Sequence, residues 1–190
     1  MSDTLKDLKP LLVIFAALVV LTGIAYPAVV FIIGQLAFPH QANGSLIINN
    51  GTVVGSELIG QQFTSDRYFW PRPSYTSGFP YNPMASGGSN LGPTNAKLIG
   101  AITNRTRLIE QANGVSSAPS DLVMGSGSGL DPDISLDAAL LQVPRVARAR
   151  GLDNSTVEGL VRGRAESPLP GLAGPETVNV LTLNLALDKL

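Results

Sequence analysis

The chain has 190 residues, of which 14% are charged, and a formal net charge of −1. This length suits one globular domain plus one membrane segment. The basic residues are scattered, which argues against nucleic acid as a partner, because a phosphate-binding surface needs clustered lysine and arginine. The chain has no cysteine and one histidine, His40. This excludes disulfides, thiolate metal sites and cysteine nucleophiles, and it disfavours a Ser-His-Asp triad.

The first predicted element is a transmembrane helix at residues 11–38, which carry no formal charge. Such a helix would measure about 42 Å, more than the roughly 30 Å of a bilayer's hydrocarbon core. Pro27 can kink the helix, and Tyr26 beside it can meet a neighbouring helix. The alternative is a cleaved signal peptide. Its apolar region is shorter and ends in a small-residue cleavage site, which residues 35–39 do not provide.

Basic residues flank this predicted helix unequally. Lys6 and Lys9 precede it, whereas the first basic residue after it is Arg67. Because lysine and arginine accumulate on the cytoplasmic side of membrane helices, we expect residues 1–10 in the cytoplasm and residues 39–190 outside it. The lipid bilayer is therefore the first predicted partner.

The region after the helix begins with a predicted β-hairpin. Two apolar runs, residues 45–48 and 52–54, flank an Asn-Gly turn at residues 50–51, which is a strong hairpin signal. The prolines in residues 68–74 argue against a central strand there. Residues 74–94, rich in glycine and proline, are predicted to form a long loop.

Helices and short strands are predicted for the rest of the chain from apolar spacing and capping residues. The first is a helix capped by Thr94 or Asn95 and ended by Asn113-Gly114, and a strand at residues 122–124 follows it. Next come a helix from Leu136, which Ser135 caps, Pro144 divides or restarts and which ends near Gly151, and a helix from Thr156 to about Arg164, capped by Asn154 or Ser155. A loop through Pro168, Pro170, Gly171 and Gly174 then leads to a strand at residues 178–181 and a helix at residues 183–190. The predicted fold class is α+β: one N-terminal transmembrane helix followed by a single extracytoplasmic domain with a small β-sheet and several helices.

Two segments resemble ligand-binding loops without completing the motif. The Gly-rich residues 86–90 lack the lysine that a P-loop needs after its last glycine, so an ordered loop is the favoured interpretation. Residues 131–137 alternate Asp and Ser like the start of a calcium loop, but Leu136 and Gln142 occupy the positions that need glycine and glutamate. A structural turn before a capped helix is favoured there. No catalytic, cofactor-binding or metal-ligating residue is predicted.

The remaining candidates are partner-binding residues. The arginines at positions 145, 148, 150, 162 and 164 form either a solvated face or a surface that docks an acidic partner. The aromatic residues at 68–70 and the nearby Arg72 have the composition of an interface anchor, although burial in the domain's own core is an equal alternative. The candidate partner-interface residues are Tyr26, Tyr68, Phe69, Trp70, Arg72, Asn90, Asp131, Arg145 and Arg148.

A series of linked motifs in one order is more specific than any of these signals. The motifs are residues 41–46 (QANGSL), 58–61 (LIGQ), 68–69 (YF) with 72–74 (RPS), 81–83 (YNP), 85–91 (ASGGSNL), 128–131 (SGLD), 144–147 (PRVA) with Arg150, and 178–181 (VNVL) with 183–188 (LNLALD). Together they resemble, along nearly the whole chain, the C subunit of the Kdp potassium-transporting P-type ATPase of bacteria.

The resemblance implies a multisubunit potassium pump in the bacterial plasma membrane. Its other members would be a channel-like potassium-translocating subunit, a P-type subunit that hydrolyses ATP with Mg²⁺, and a small single-helix subunit. The C subunit would contribute assembly and regulation, with its domain near the external potassium entrance. Nucleotide binding has been proposed for the family. The predicted extracytoplasmic position of residues 86–90 argues against it, so no cofactor is expected for this chain.

Two other functions remain open at this level. The chain could be an independent membrane-tethered binding or structural protein, which detergent extraction without large partners would favour. A tethered hydrolase is the third hypothesis, but it needs a catalytic group that the sequence does not show. The chain also lacks the Asp-Lys-Thr-Gly-Thr phosphorylation motif and the Thr-Val-Gly-Tyr-Gly filter, so it is predicted to be non-catalytic.

Overall fold

The computed structural model describes residues 2–168 and 174–190. The chain forms two compact units, Met1–Leu46 and Ile47–Leu190. The predicted loop through Pro170 and Gly171 lies outside the described residues. The division into cytoplasmic, transmembrane and outer segments at residues 10 and 38 stays a prediction.

The first unit is dominated by one long helical stretch. Helix α1 (Ser2–Val20) leads into a π-helical turn (Leu21–Ala25) and then into helix α2 (Tyr26–Ala37). Residues Leu8–Ala37 have a mean hydropathy of 2.4 over their most apolar window, none of which is buried, so by length and composition they suit one membrane crossing. The helix accommodates Pro27 next to a π-helical turn, which is a common device at helix irregularities.

The predicted hairpin is confirmed. A four-residue helix, α3 (Pro39–Ala42), precedes the paired strands β1 (Leu46–Asn49) and β2 (Thr52–Ser56). Asn50 and Gly51 have φ values of 49° and 76°. Two consecutive positive φ angles match the type I′ turn, whose twist fits paired strands.

The predicted long loop is also confirmed. Between β2 and the next helix, one short 3₁₀ turn (Pro83–Ala85) is the regular element that the structure describes. Residues 68–74 run without a strand. Proline cannot donate to a β-ladder, so the backbone groups of this segment must find partners elsewhere.

The next two helices differ in how well the sequence predicts them. Helix α4 (Ala96–Asn113) begins at the cap Asn95, whose Oδ1 accepts the Lys97 N–H at 2.9 Å, and ends at Gly114 with φ 67°. Both caps are as predicted. The strand predicted at residues 122–124 is wrong: the segment belongs largely to helix α5 (Ser120–Val123), with Leu122 and Val123 buried. A run of three apolar residues does not distinguish the two periodicities.

Helices α6 (Leu136–Arg150) and α7 (Asn154–Arg162) pack together. Ser135 caps α6 as predicted, with its Oγ accepting the Ala138 N–H at 3.1 Å, and Gly151 ends it at φ 69°. Pro144 does not divide α6. Its ring lies on the exposed side of a helix whose other face is buried on both sides of the proline, so packing holds the helix together despite the lost bond. Helix α7 starts two residues before the predicted Thr156.

A three-stranded antiparallel sheet completes the domain. Its order is β3 (Asp133–Ser135), β5 (Thr177–Asn179) and β4 (Ala165–Glu166), with Val178 aligned to Ile134 on one side and to Ala165 on the other. The predicted strand at 178–181 ends early, because the Asn179 Oδ1 accepts the Thr182 N–H at 3.1 Å and caps helix α8 (Val180–Leu187).

The core lies between the sheet and helices α4 to α8, which makes the second unit an α+β domain, as predicted. Its largest fully buried side chains contribute most of the apolar area removed from water. They include Phe69, Ile109, Leu122, Ile134, Val146, Val157, Val178 and Leu183.

Candidate partner-binding site

Side-chain amides, rather than a neighbouring strand, hold the aromatic segment at residues 68–70. The Phe69 N–H donates to Asn184 Oδ1 at 2.9 Å, and Asn184 Nδ2 donates back to the Phe69 carbonyl at 3.0 Å. Gln142 does the same for Trp70, at 2.8 and 3.2 Å. Each buried amide replaces one rung of a β-ladder, which satisfies the backbone groups of a segment that proline keeps out of a sheet.

The guanidinium of Arg145 stacks on Trp70, 4.1 Å from the ring centroid. Arg145 is only 3% exposed. Its hydrogen bonds go to Asn113 Oδ1 (3.0 Å), the carbonyls of Asp66 and Tyr68 (2.8 and 3.0 Å) and Gln142 Oε1 (2.7 Å). Burial lowers the pKa of Arg145 to about 10, although the Asp66 carboxylate opposes this shift. The guanidinium therefore stays charged at neutral pH, and its hydrogen bonds hold the backbone around the aromatic segment in place.

The interpretation of the arginines as a solvated face is wrong for Arg145 and Arg150. The Arg150 Nη2 lies 2.8 Å from Asp188 Oδ1, and its side chain is 8% exposed. Its guanidinium lies 4.9 Å from the Tyr68 ring centroid, and the Tyr68 hydroxyl donates to the same Asp188 carboxylate at 3.1 Å. These arginines join α6 to the aromatic segment, whereas Arg148 is exposed on the same helix.

A second ion pair lies at the beginning of the long loop. Arg72 Nη1 is 2.8 Å from Asp131 Oδ2, with the two side chains 25% and 30% exposed. Among the described residues the buried Arg72 Nε has no hydrogen-bond partner. The Tyr81 hydroxyl donates to the Arg72 carbonyl, and burial raises the pKa of Tyr81 above its ordinary value. The tyrosine therefore remains a neutral donor that fixes the Arg72 backbone.

Two glycine-serine loops brace each other. The Gly87 N–H donates to the Ser128 carbonyl at 2.8 Å. Gly129, with φ 68°, lies so close to the other loop that a Cβ there would be 2.6 Å from the Gly87 carbonyl. Only glycine tolerates both conditions. The structure thus agrees with the ordered-loop interpretation of residues 86–90, and exposed Asn90 with φ 52° ends that segment.

An acidic groove of about 560 Å³ lies beside the Arg72–Asp131 pair. Its charged lining is Arg72, Asp121, Asp131, Asp133 and Asp137. Backbone amides already occupy two of these carboxylates: Asp121 Oδ2 accepts the Ser135 N–H at 2.7 Å, and Asp131 Oδ1 accepts the Asp133 N–H at 3.1 Å. Within the described residues no group of three or more His, Cys, Asp or Glu side chains is arranged to hold a metal ion. The turn-and-cap interpretation of residues 131–137 fits these contacts.

Replacing Asp133 with asparagine is expected to stabilise the domain at neutral pH. Burial raises the pKa of Asp133 above its ordinary 3.8, and the carboxylates of Asp131 and Glu166 add to the shift, whereas a hydrogen bond from Asn179 opposes it. A raised carboxyl pKa means that ionisation costs the folded state more than the unfolded state. The cost is complete above the folded pKa and disappears as the pH falls below 3.8.

Denaturant unfolding across pH 3–8 checks this expectation. The stability difference between D133N and the unmodified chain should shrink steadily as the pH falls. A D137N variant, on the rim of the same groove, serves as the matched control. A constant difference across the pH range would contradict the assignment.

The structure brings six of the nine candidate residues into two groups. Tyr68, Phe69, Trp70 and Arg145 belong to the amide and guanidinium network, and Arg72 and Asp131 form the ion pair. Phe69 (0% exposed) and Trp70 (5%) are in the core, which is the alternative that the sequence left open. Tyr26, on the membrane helix, is 68% exposed. A role in partner binding stays a prediction for all nine.

Sequence reasoning missed the residues that hold this site: Gln142, Asn184, Asn113 and Tyr81. A signal was present for the first two. Gln142 and Asn184 occur at core-facing positions of otherwise apolar helix faces and are 0% and 1% exposed. A polar residue on a buried stripe needs a partner, so such a position indicates a buried hydrogen-bonding role.

An exposed apolar helix followed by an α+β domain fits a single-pass membrane protein. Residues 8–189 match the family described as KdpC: K⁺-transporting ATPase, c chain. The chain belongs to this family.

The chain is similar to curated relatives along nearly their full length. The chain is 48% identical to the potassium-transporting ATPase KdpC subunit of Geobacter metallireducens, over 98% of this chain and 99% of that protein. It is 53% identical to the protein of the same name from Sorangium cellulosum, over 97% and 98%. The corresponding Paraburkholderia phytofirmans protein is 52% identical, over 96% of each chain.

Proposed function

We propose that this chain is a non-catalytic assembly and regulatory subunit of a high-affinity, ATP-driven potassium-uptake complex. The observation that carries the proposal is the family match over residues 8–189, since it covers the membrane helix and the domain together. The complex uses ATP with Mg²⁺ and transports K⁺. Its other members are a channel-like potassium-translocating subunit, a P-type ATPase subunit and a small single-helix subunit.

The contacts of the domain support a non-catalytic role. Three of the domain's charged side chains hold structure: Arg145 binds carbonyls and amides, Arg150 binds Asp188, and Asp131 binds Arg72. Catalytic groups need access to a substrate and a matched pKa. The Tyr81 hydroxyl, with its raised pKa, is occupied by the Arg72 carbonyl.

One backbone donor of the Gly-rich loop is already used within the protein, which argues against a role in holding a nucleotide phosphate. A phosphate-binding loop presents free backbone N–H groups, but the Gly87 N–H is donated to the Ser128 carbonyl at 2.8 Å. The Ser86 hydroxyl also donates to that carbonyl, at 3.1 Å. We therefore propose that this subunit has no cofactor of its own and that ATP is handled by its partner.

The proposed topology places the N-terminus in the cytoplasm and the domain outside the plasma membrane, near the external potassium entrance. The basic residues at positions 6 and 9 and the absence of others before Arg67 support that orientation. The proposed partner-facing residues are the nine candidates. Exposed Arg148 and Asn90 offer side chains for direct contact, whereas Phe69, Trp70 and Arg145 would act by shaping the surface.

Deleting the gene segment for this chain tests the proposal. We expect ATP-driven potassium uptake at micromolar supply to be lost and to return when the chain is supplied again. Gentle detergent extraction of the tagged chain should recover the larger membrane subunits. Unchanged uptake, or recovery of the chain alone, would favour the independent tethered protein instead.

A further inference from the structure

The π-helical turn and Pro27 together leave the Thr22 backbone carbonyl without a helical donor. The Tyr26 N–H, which an α-helix would pair with Thr22, donates instead to the Leu21 carbonyl. The π-helical donor for Thr22 would be residue 27, which is proline and has no N–H. Within the described helix, the Thr22 carbonyl therefore has neither its α-helical nor its π-helical partner.

The neighbouring hydroxyl does not replace that partner. The Thr22 hydroxyl donates to the Leu18 carbonyl at 2.7 Å, one turn in the other direction. Next to Thr22, a Cβ added to Gly23 would meet nothing within 4 Å among the described residues. We call the Thr22 carbonyl and the surface of Gly23 the mid-helix notch.

The depth of the notch makes the unpaired carbonyl costly. Thr22 lies halfway along the apolar stretch Leu8–Ala37. Lipid tails offer no hydrogen-bond donor, so a bare carbonyl in the hydrocarbon region must be satisfied by protein or by trapped water. Membrane helices approach one another most closely at small residues such as glycine.

We propose that the mid-helix notch docks a transmembrane helix of another subunit of the potassium-transporting complex, and that this helix carries a hydrogen-bond donor side chain at the depth of Thr22. The proposal rests on the proposed function, because it needs a membrane partner. It adds the contact point and the chemistry of the partner: a hydroxyl, amide or indole donor on a polar position of an otherwise apolar helix.

The substitution Pro27→Ala tests the hydrogen bond. Alanine supplies the missing N–H, so the helix can close and satisfy its own carbonyls. We expect the affinity for the partner subunit, measured by detergent extraction of the complete complex, to fall roughly 3- to 20-fold, which is the range of interhelical hydrogen bonds in membranes. Pro10→Ala is the control. It also removes a proline from the helix, but Pro10 has no π-helical turn beside it, so the affinity should be unchanged. The proposal would be overturned if the unmodified chain, Pro27→Ala and Pro10→Ala all bound the partner subunit with equal affinity.

The substitution Gly23→Leu tests the close approach. A Cβ at this position meets nothing within 4 Å among the described residues, so a loss of partner reports on the docking surface. Ala17→Leu places the same side chain about 120° away around the helix and should bind normally. Equal recovery of the partner for both variants would contradict docking at the notch.

A photo-crosslinking residue in place of Tyr26 identifies the occupant. A product with another subunit of the complex supports the proposal, whereas a product with a second copy of this chain, or with lipid alone, overturns it. Partner recovery by the unmodified chain separates the two levels. If the unmodified chain recovers the partner normally and the variants recover it equally, docking at the notch is contradicted and the proposed function stands. If the unmodified chain recovers no partner, the proposed function fails.

Discussion

Replacing Arg145 with alanine is expected to lower the free energy of unfolding by about 3–5 kcal/mol, because several buried acceptors lose a charged donor at about 1–3 kcal/mol each. The substitution leaves Asn113 Oδ1 and two backbone carbonyls without this donor, and Gln142 Oε1 keeps only the Trp70 N–H. It also removes the cation that stacks 4.1 Å from the Trp70 ring centroid. Denaturant unfolding of the detergent-solubilised chain, followed by Trp70 fluorescence, measures the loss.

Two further variants make this result specific. Arg148→Ala changes an exposed arginine on the same helix, so its effect should stay within about 0.5 kcal/mol. Arg145→Lys keeps the charge but cannot reproduce the planar fork of donors, and we expect an intermediate loss. If Arg145→Ala and Arg148→Ala destabilise equally, the network around Arg145 does not hold the domain together.

Asn184→Ala is expected to cost about 2–6 kcal/mol, since it leaves a buried N–H and a buried carbonyl of Phe69 unpaired at about 1–3 kcal/mol each. Phe69 is 0% exposed, so water cannot take the place of the amide without opening the core. Hydrogen exchange gives a local measurement: the Phe69 amide should lose protection. The Trp70 amide, held by Gln142, should lose less.

Asn104→Ala is the matched control for this substitution. Asn104 is exposed on α4, and alanine there should change stability by less than about 0.5 kcal/mol. Retained protection of the Phe69 amide in Asn184→Ala would show that the side-chain amide is not its partner in solution.

Local signals explain which parts of the fold could be predicted. The hairpin turn at Asn50-Gly51 and the caps Asn95 and Ser135 are set by backbone angles or hydrogen bonds a few residues apart. The same logic would have placed the start of α8, because Asn179 is a capping residue. There the alternation of apolar residues favoured a strand, and the cap decided otherwise.

The site could be predicted only in part, because its contacts are distant in sequence. The aromatic segment was singled out by composition, but its partners Gln142 and Asn184 lie 72 and 115 residues later. Likewise, the spacing of Arg145 and Arg150 along a helix shows neither their burial nor their acceptors. Four of the hydrogen-bond acceptors of these two arginines are backbone carbonyls, which a sequence motif does not mark.

The distance between the aromatic segment and α8 also sets an order for synthesis. Residues 68–70 leave the ribosome long before Asn184 and Asp188, which pair with them across 115 and 120 residues. Until then, the Phe69 backbone has only water as a partner, and the core cannot close around it. Contacts this far apart are slow to form. The domain can therefore complete its core around the aromatic segment only after helix α8 has been synthesised.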